Sequence, residues 1–198
     1  MQRQQIYRVQ EIFYSLQGEG ANMGKPVVFV RFAGCNLACP FCDTPNTPGI
    51  EMTDSEIFLE AGKQGGRCGA VVFTGGEPTL QLTDTLVALF KESGWWVAIE
   101  TNGTRPLPQG LDYVTVSPKN APLYKRLGHI NEIRVALAEG QPTPEEILDN
   151  TNADLYYLSP IFDGFSAVEA NIDWVIEECK RSPAWRLSIQ LHKLIGIR

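Results

Sequence analysis

The stretch Val27-Val28-Phe29-Val30-Arg31-Phe32-Ala33-Gly34-Cys35-Asn36-Leu37-Ala38-Cys39-Pro40-Phe41-Cys42 decides the reading of this chain. Its opening run, apolar except for Arg31, has the β-branched and aromatic content of a buried strand. After Gly34 comes a C-x3-C-x2-C cluster with no fourth cysteine beside it. Four thiolates close an electron-transfer cluster of the ferredoxin type; three leave one iron open to bind a substrate. Structural zinc sites usually add a second cysteine or histidine pair, and only His129 and His192 are present, each isolated. Thiolate suits zinc as well as iron–sulfur clusters, so a non-enzymatic zinc or iron–sulfur binding module stays open on spacing alone.

The surrounding composition is that of an ordinary globular protein: 198 residues, 43% hydrophobic and 20% charged, enough for one well-buried core in a single domain over residues 1–198. No apolar stretch approaches the ~20 residues a membrane helix needs, and the polar start Met1-Gln2-Arg3-Gln4-Gln5 lacks the apolar core of a secretory signal. A cytoplasmic location is expected. Five cysteines, three of them crowded together, do not read as a disulfide framework. The net charge of −6 and the lack of any lysine and arginine run argue against nucleic-acid binding and favour a small substrate.

Working outward, further short strands are predicted at Ala70 to Phe73, Trp95 to Glu100, Tyr113 to Val116, Glu132 to Ala136, Asp154 to Leu158 and Trp185 to Leu191, with an eighth from Ile6 to Tyr14. The sequence Thr53-Asp54-Ser55-Glu56 reads as a capping box opening a helix to about Lys63. A second helix is predicted from about Leu80 to Ser93, stopping at Gly94. A third begins at a capping box of Ser166 and Glu169, carries a stripe of Val168, Ile172, Val175, Ile176 and Cys179, and ends before Pro183. Strands alternating with helices imply parallel pairing, but the later connections, such as Gly140-Gln141-Pro142-Thr143-Pro144, leave little room for covering helices. The expected fold is therefore α/β, a partial (β/α) barrel with degenerate or missing later helices.

Functional groups in such folds sit at the carboxyl ends of the strands. Cys35 follows the first predicted parallel strand, Gly75-Gly76-Glu77-Pro78 the next, Thr101-Asn102-Gly103 the third and Ser117-Pro118-Lys119 the fourth. All four motifs fall on one rim. Glycine after a strand lets backbone approach a ligand closely.

The triple cysteine with Phe41 before its last member, followed one strand later by Gly-Gly-Glu-Pro, resembles the radical S-adenosylmethionine (SAM) superfamily. Four further segments, Tyr14-Ser15-Leu16-Gln17-Gly18-Glu19-Gly20, Phe29 to Leu37, Cys42-Asp43-Thr44 and Gln190-Leu191-His192-Lys193, resemble the 7-carboxy-7-deazaguanine synthase family within it. That resemblance implies ring contraction of 6-carboxy-5,6,7,8-tetrahydropterin to 7-carboxy-7-deazaguanine with loss of ammonia, in queuosine precursor biosynthesis. It implies a 4Fe-4S cluster on Cys35, Cys39 and Cys42, SAM, Mg2+ on Thr44, a one-electron donor such as flavodoxin, and a homodimer. A glycyl-radical-enzyme activating enzyme shares the cysteine spacing and is the enzymatic alternative.

The resemblance also distributes roles among individual residues. Leu16, Gln17, Gly18, Glu19, Arg31 and Thr74 match the substrate segment, with Arg31 able to fork onto a carboxylate and Glu19 able to accept from an aminopyrimidinone edge. Gly76, Ser117, Pro118 and Lys119 match the SAM segment. Glu100, Thr101 and Asn102 share the rim. Gln190 and His192 are read as alternating on the last strand and facing one side, and the carboxyl-terminal tail as reaching towards the substrate. Cys68 and Cys179 are read as core thiols, and the tryptophans as packing or dimer-contact groups.

Overall fold

The computed structural model describes residues 5–44, 47–119, 122–123 and 125–198. A single nine-stranded sheet runs in the order β3-β1-β2-β4-β5-β6-β7-β8-β9, built from β1 (Ile6–Leu16), β2 (Pro26–Phe32), β3 (Ile50–Thr53), β4 (Ala70–Gly75), β5 (Trp96–Thr101), β6 (Tyr113–Val116), β7 (Ile130–Leu137), β8 (Ala153–Pro160) and β9 (Trp185–Leu187). From β2 onward every pairing other than those made by β1 is parallel. The order begins at β3 and ends at β9, so the sheet stays open, a partial barrel as expected.

The antiparallel edge departs from the alternation expected of strands and helices. β1 is the eighth predicted strand, but it pairs antiparallel with both β2 and β3. β3 carries no strand signal in the sequence, being four residues long, half polar and immediately followed by a helix cap. Pairing of Glu11 with Arg31 and Phe13 with Phe29 places these residues on one face, and the two phenylalanine rings stack at 5.1 Å.

Helices α1 (Asp54–Gly65) and α2 (Asp84–Glu92) cover the outer face. The capping box of α1 forms as expected: Thr53 Oγ1 accepts from Glu56 N at 3.3 Å and the Glu56 carboxylate accepts from Thr53 N at 2.8 Å. α2 is shorter than predicted. Pro78–Leu80 forms a separate 3-10 turn, and Thr83 caps the helix by accepting from Leu86 N at 3.2 Å. Tyr7, with no exposed surface, ties both helices to β1 through bonds to Asp54 at 2.7 Å and Thr83 at 2.6 Å. Phe90 of α2 meets Phe58, Phe73 and Trp95 edge-on at 5.1–5.4 Å. Truncating such a ring to alanine costs about 3–5 kcal/mol.

The later half confirms an incomplete outer layer, with a six-residue α3 (Glu145–Asn150) between β7 and β8. α4 (Glu169–Arg181) lacks the predicted capping box: its N-cap is Val168 with no side-chain bond, and Ser166 instead exchanges backbone bonds with Asp163. The helix starts later than a cap at Ser166 would require. Its buried positions are Asn171, Val175 and Glu178. Asn171 is buried because it bridges Glu139 N at 2.8 Å and Ile161 O at 2.7 Å, a polar contact that an apolar stripe cannot signal. The predicted last strand also ends early. After Leu187 the chain turns into α5 (Leu191–Leu194), so Gln190 and His192 do not alternate on a strand. Pro45 and Asn46, in the loop where the sequence departs from the family pattern, lie outside the described residues.

Candidate active site

Along the inward face, residues two apart stack in layers because strand side chains alternate. Phe29, Val72 and Ala98 form the apolar floor, and one step nearer the carboxyl ends stand Arg31, Thr74 and Glu100. Above them opens a cleft of about 650 Å³. A shallower hollow of about 530 Å³ lies at the opposite end, beside Lys25, Cys68 and Trp96, and of the motif residues only Tyr14 reaches it.

The expected substrate residues Leu16, Gln17, Gly18, Glu19, Arg31 and Thr74 all line the cleft, as do Cys35, Cys39, Cys42 and Thr44 of the cysteine loop. Of the expected SAM residues, Gly76, Ser117 and Lys119 line it, whereas Pro118 does not belong to its wall. The rim rule therefore brings together residues from β1, β2, β4, β5 and β6.

The glycines have a reason beyond ligand approach. A Cβ on Gly76 would lie 2.2 Å from Gly34 O and 3.0 Å from Cys35 Cβ; one on Gly75, at φ +140°, would lie 2.2 Å from Phe32 O. The Gly75-Gly76 turn packs directly on the backbone that launches the cysteine loop. Gly76 N donates to Phe32 O at 3.2 Å and Glu77 N to Gly34 O at 2.9 Å.

All five cysteines are free. Cys35, Cys39 and Cys42 line one cleft, and among the described residues no fourth cysteine lines it, a donor set that suits a cluster with one iron left open. Lys119 lies by the loop, its ammonium 5.3 Å from the Phe41 ring centre and donating to Ser117 Oγ at 2.9 Å. Burial pushes its pKa down, opposed by nearby Cys39. Burial likewise pushes the Cys39 thiol up, with Lys119 pulling the other way.

The opposite wall is organised by a cation that the family motifs do not include. Arg134 of β7, only 6% exposed in its side chain, pairs with Glu19, with Glu100 at 2.7 Å and with Glu132 at 3.5 Å. Burial works against its charge, but the three carboxylates outweigh burial and raise its pKa. For Glu100, burial is likewise overcome by Arg134 and by Gln17, so the carboxyl is held below its ordinary value. For Glu132, burial prevails and the pKa is raised. Glu132 accepts from Ala21 N at 2.9 Å, anchoring the segment after Glu19. The signal that could have found this wall is Glu132 and Arg134 two apart in the predicted strand Glu132 to Ala136, whose other residues are apolar, the same signal that singles out Arg31.

Two of the expected substrate residues are held in ion pairs. Glu19 faces Arg134. Arg31 Nε is held by Glu11 at 2.8 Å, and Glu11 also takes the guanidinium of Arg198. The tail does reach the cleft: Arg198 lines it, and Ser15 Oγ donates to its carbonyl oxygen. His192 packs so closely on Gly18 that a Cβ there would lie 2.1 Å from its Nδ1. Leu191 N donates to Gly18 O at 2.9 Å, and Lys193 pairs with Asp43 at 2.5 Å. α5 thus joins the Gln17-Gly18 turn to the end of the cysteine loop.

The described helices include none long and apolar enough to cross a membrane. Residues 29–174 match the model of the radical SAM superfamily. The chain is 46% identical to 7-carboxy-7-deazaguanine synthase of Bacteroides thetaiotaomicron, covering 96% of this chain and 98% of that protein. It is 41% identical to the synthase of Burkholderia multivorans, over 96% and 99% respectively. The crystal structure of QueE from Escherichia coli superposes with a TM-score of 0.78 at 26% identity, covering 94% of this chain and 95% of that one. These matches resolve the two alternatives that cysteine spacing left open. The chain belongs to the 7-carboxy-7-deazaguanine synthase family of the radical SAM superfamily.

Proposed function

We propose that the cleft binds 6-carboxy-5,6,7,8-tetrahydropterin between the Arg134 wall and the cysteine loop and releases 7-carboxy-7-deazaguanine and ammonia. The observation that carries this reading is the placement of Gln17, Arg31, Thr74 and Glu100 in the same cavity as Cys35, Cys39 and Cys42. A flat aminopyrimidinone offers adjacent N–H donors, and Glu100, kept ionised by Arg134, is an acceptor suited to them. Gln17 Nε2 fixes that carboxylate at 2.9 Å and leaves its own oxygen near the Glu19 amide at 3.3 Å. Arg31 and the neighbouring Thr74, paired in register on β2 and β4, offer donors to the substrate carboxylate at the other end.

Cys35, Cys39 and Cys42 would hold the 4Fe-4S cluster, and Gly76, Ser117 and Lys119 the SAM beside it. When bound, these groups supply the radical chemistry; the protein positions the ring and excludes water. Thr44, half-buried at the loop end, offers a hydroxyl to Mg2+ together with substrate oxygens and waters. A flavodoxin-like one-electron donor, a homodimer and a cytoplasmic setting complete the reading.

Anaerobic incubation of the reconstituted protein with the carboxypterin, SAM, Mg2+ and dithionite tests it. Formation of 7-carboxy-7-deazaguanine is the expected result. Deoxyadenosine without that product, at saturating pterin, would overturn the substrate assignment and leave the superfamily intact.

A further inference from the structure

Glu77, in the glycine-rich turn, has no exposed surface, and among the described residues no cation pairs with it. A buried carboxylate without a counterion must be held by hydrogen bonds. Its Oε1 accepts from Thr79 N at 3.0 Å, Thr79 Oγ1 at 2.6 Å and Thr101 Oγ1 at 2.6 Å; its Oε2 accepts from Asn102 N at 2.7 Å. Capping the Pro78–Leu80 turn needs only the first of these. The bonds from Thr101 and Asn102 come from a different strand end.

Asn102 carries the connection onward. Its Nδ2 donates to Asn36 Oδ1 at 2.9 Å, its Oδ1 accepts from Thr104 N at 3.0 Å, and Asn36 Nδ2 donates to Thr104 Oγ1 at 2.9 Å. Asn36 directly follows Cys35. The glycine turn, the Thr101–Thr104 loop and the first cysteine thus form one hydrogen-bonded unit with a buried carboxylate at its centre.

We propose that Glu77 is a positioning residue that, through Asn102 and Asn36, fixes the cysteine loop relative to the glycine turn that receives SAM. This rests on the radical SAM reading of the site. The relay sets the separation between two half-sites that stand at the ends of different strands, β2 and β4. Polar groups deep in low-dielectric surroundings couple strongly to their partners, so disturbing either end is felt at the other.

The test is a double-mutant cycle with Glu77→Gln and Asn36→Ala, measured by SAM affinity for the reconstituted, unreduced protein. Each single variant is expected to weaken SAM by about tenfold, and the double variant by no more than the worse single, since both break the same relay. In the unloaded protein, the side-chain amide proton signals of Asn36 are expected to shift and exchange faster in Glu77→Gln. Additive losses, with the Asn36 amide signals unchanged, would overturn the proposal. If Glu77→Gln does not fold, Thr101→Val, which removes the side-chain donor that Thr101 gives the Glu77 carboxylate, is paired with Asn36→Ala and read for the same two outcomes. Wild-type protein that assembles no cluster or binds no SAM would instead refute the underlying site assignment.

Discussion

Gln17 Nε2 and Glu100 Oε1 meet at 2.9 Å across 83 residues of sequence, joining the turn after β1 to the carboxyl end of β5. The contact makes Gln17 an anchor for a carboxylate that is itself clamped by Arg134 at 2.7 Å. Gln17→Ala should therefore release Glu100 on the substrate side while leaving the cysteine loop untouched. The expected outcome is a rise of about 10- to 100-fold in KM for the pterin, equivalent to about 1–3 kcal/mol, with cluster iron content unchanged. Steady-state kinetics and iron analysis check it.

Arg134 faces Glu19, Glu100 and Glu132. Replacing it with glutamine leaves three carboxylates in a half-dry cleft without their cation, a loss of about 3–5 kcal/mol by comparison with other broken buried pairs. Urea unfolding of Arg134→Gln at neutral pH should show that loss. The deficit should shrink in acid, because protonating the uncompensated carboxylates removes the repulsion.

Glu100 and Glu132 should respond to pH with opposite signs although both contact Arg134. The Glu100 carboxyl is held below its ordinary 4.5 in the folded protein, so the unfolded chain binds the proton more readily. Its contribution is present above 4.5 and is lost as pH falls through the lower folded value. The Glu132 carboxyl is raised above 4.5, so the folded protein takes the proton first, and its contribution grows as pH falls through the raised folded value. Relative to Glu100→Gln, the wild type should lose ground as pH falls below about 4.5; relative to Glu132→Gln, it should gain as pH falls towards 4.5 and hold that gain below it. Unfolding midpoints of the three proteins across that range decide the signs.

Gly76→Ala places a methyl 2.2 Å from Gly34 O, a backbone atom that cannot swing aside. The turn or the cysteine loop must move, at about 1–3 kcal/mol of overpacking. SAM affinity should fall by at least about tenfold while the distant α4 region retains its hydrogen-exchange protection. Equilibrium binding and exchange mass spectrometry measure the two together.

Much of this site is legible in the sequence because parallel strands deliver their ends to one rim. Cys35, Gly76, Thr101 and Ser117 each come after an apolar run, and the structure gathers all four around one cleft. The capping box at Thr53 is legible for a similar reason, since donor and acceptor lie three residues apart. The hidden features depend on partners that the local pattern does not name. Ser166 and Glu169 have the spacing of a capping box, yet a bridge to Asp163 holds Ser166 outside the helix. Asn171 is buried by contacts to Glu139 and Ile161 that no periodicity encodes. His192 reads as a strand residue because Trp185 to Leu191 is apolar enough for one, but Leu191 gives its amide to Gly18 and starts a helix. Arg134 is easily passed over among β-branched neighbours, although a charge inside an apolar strand is the signal that marks Arg31.

Ring contraction of the carboxypterin in this cleft is tested most directly by the stoichiometry of one anaerobic reaction of the reconstituted protein with excess carboxypterin and limiting SAM. The predicted result is that 7-carboxy-7-deazaguanine and ammonia form in equal amounts, exceed the SAM supplied, and leave that SAM intact, as the family resemblance implies. Product capped at the amount of SAM consumed, or SAM consumed with no ammonia released, would contradict it.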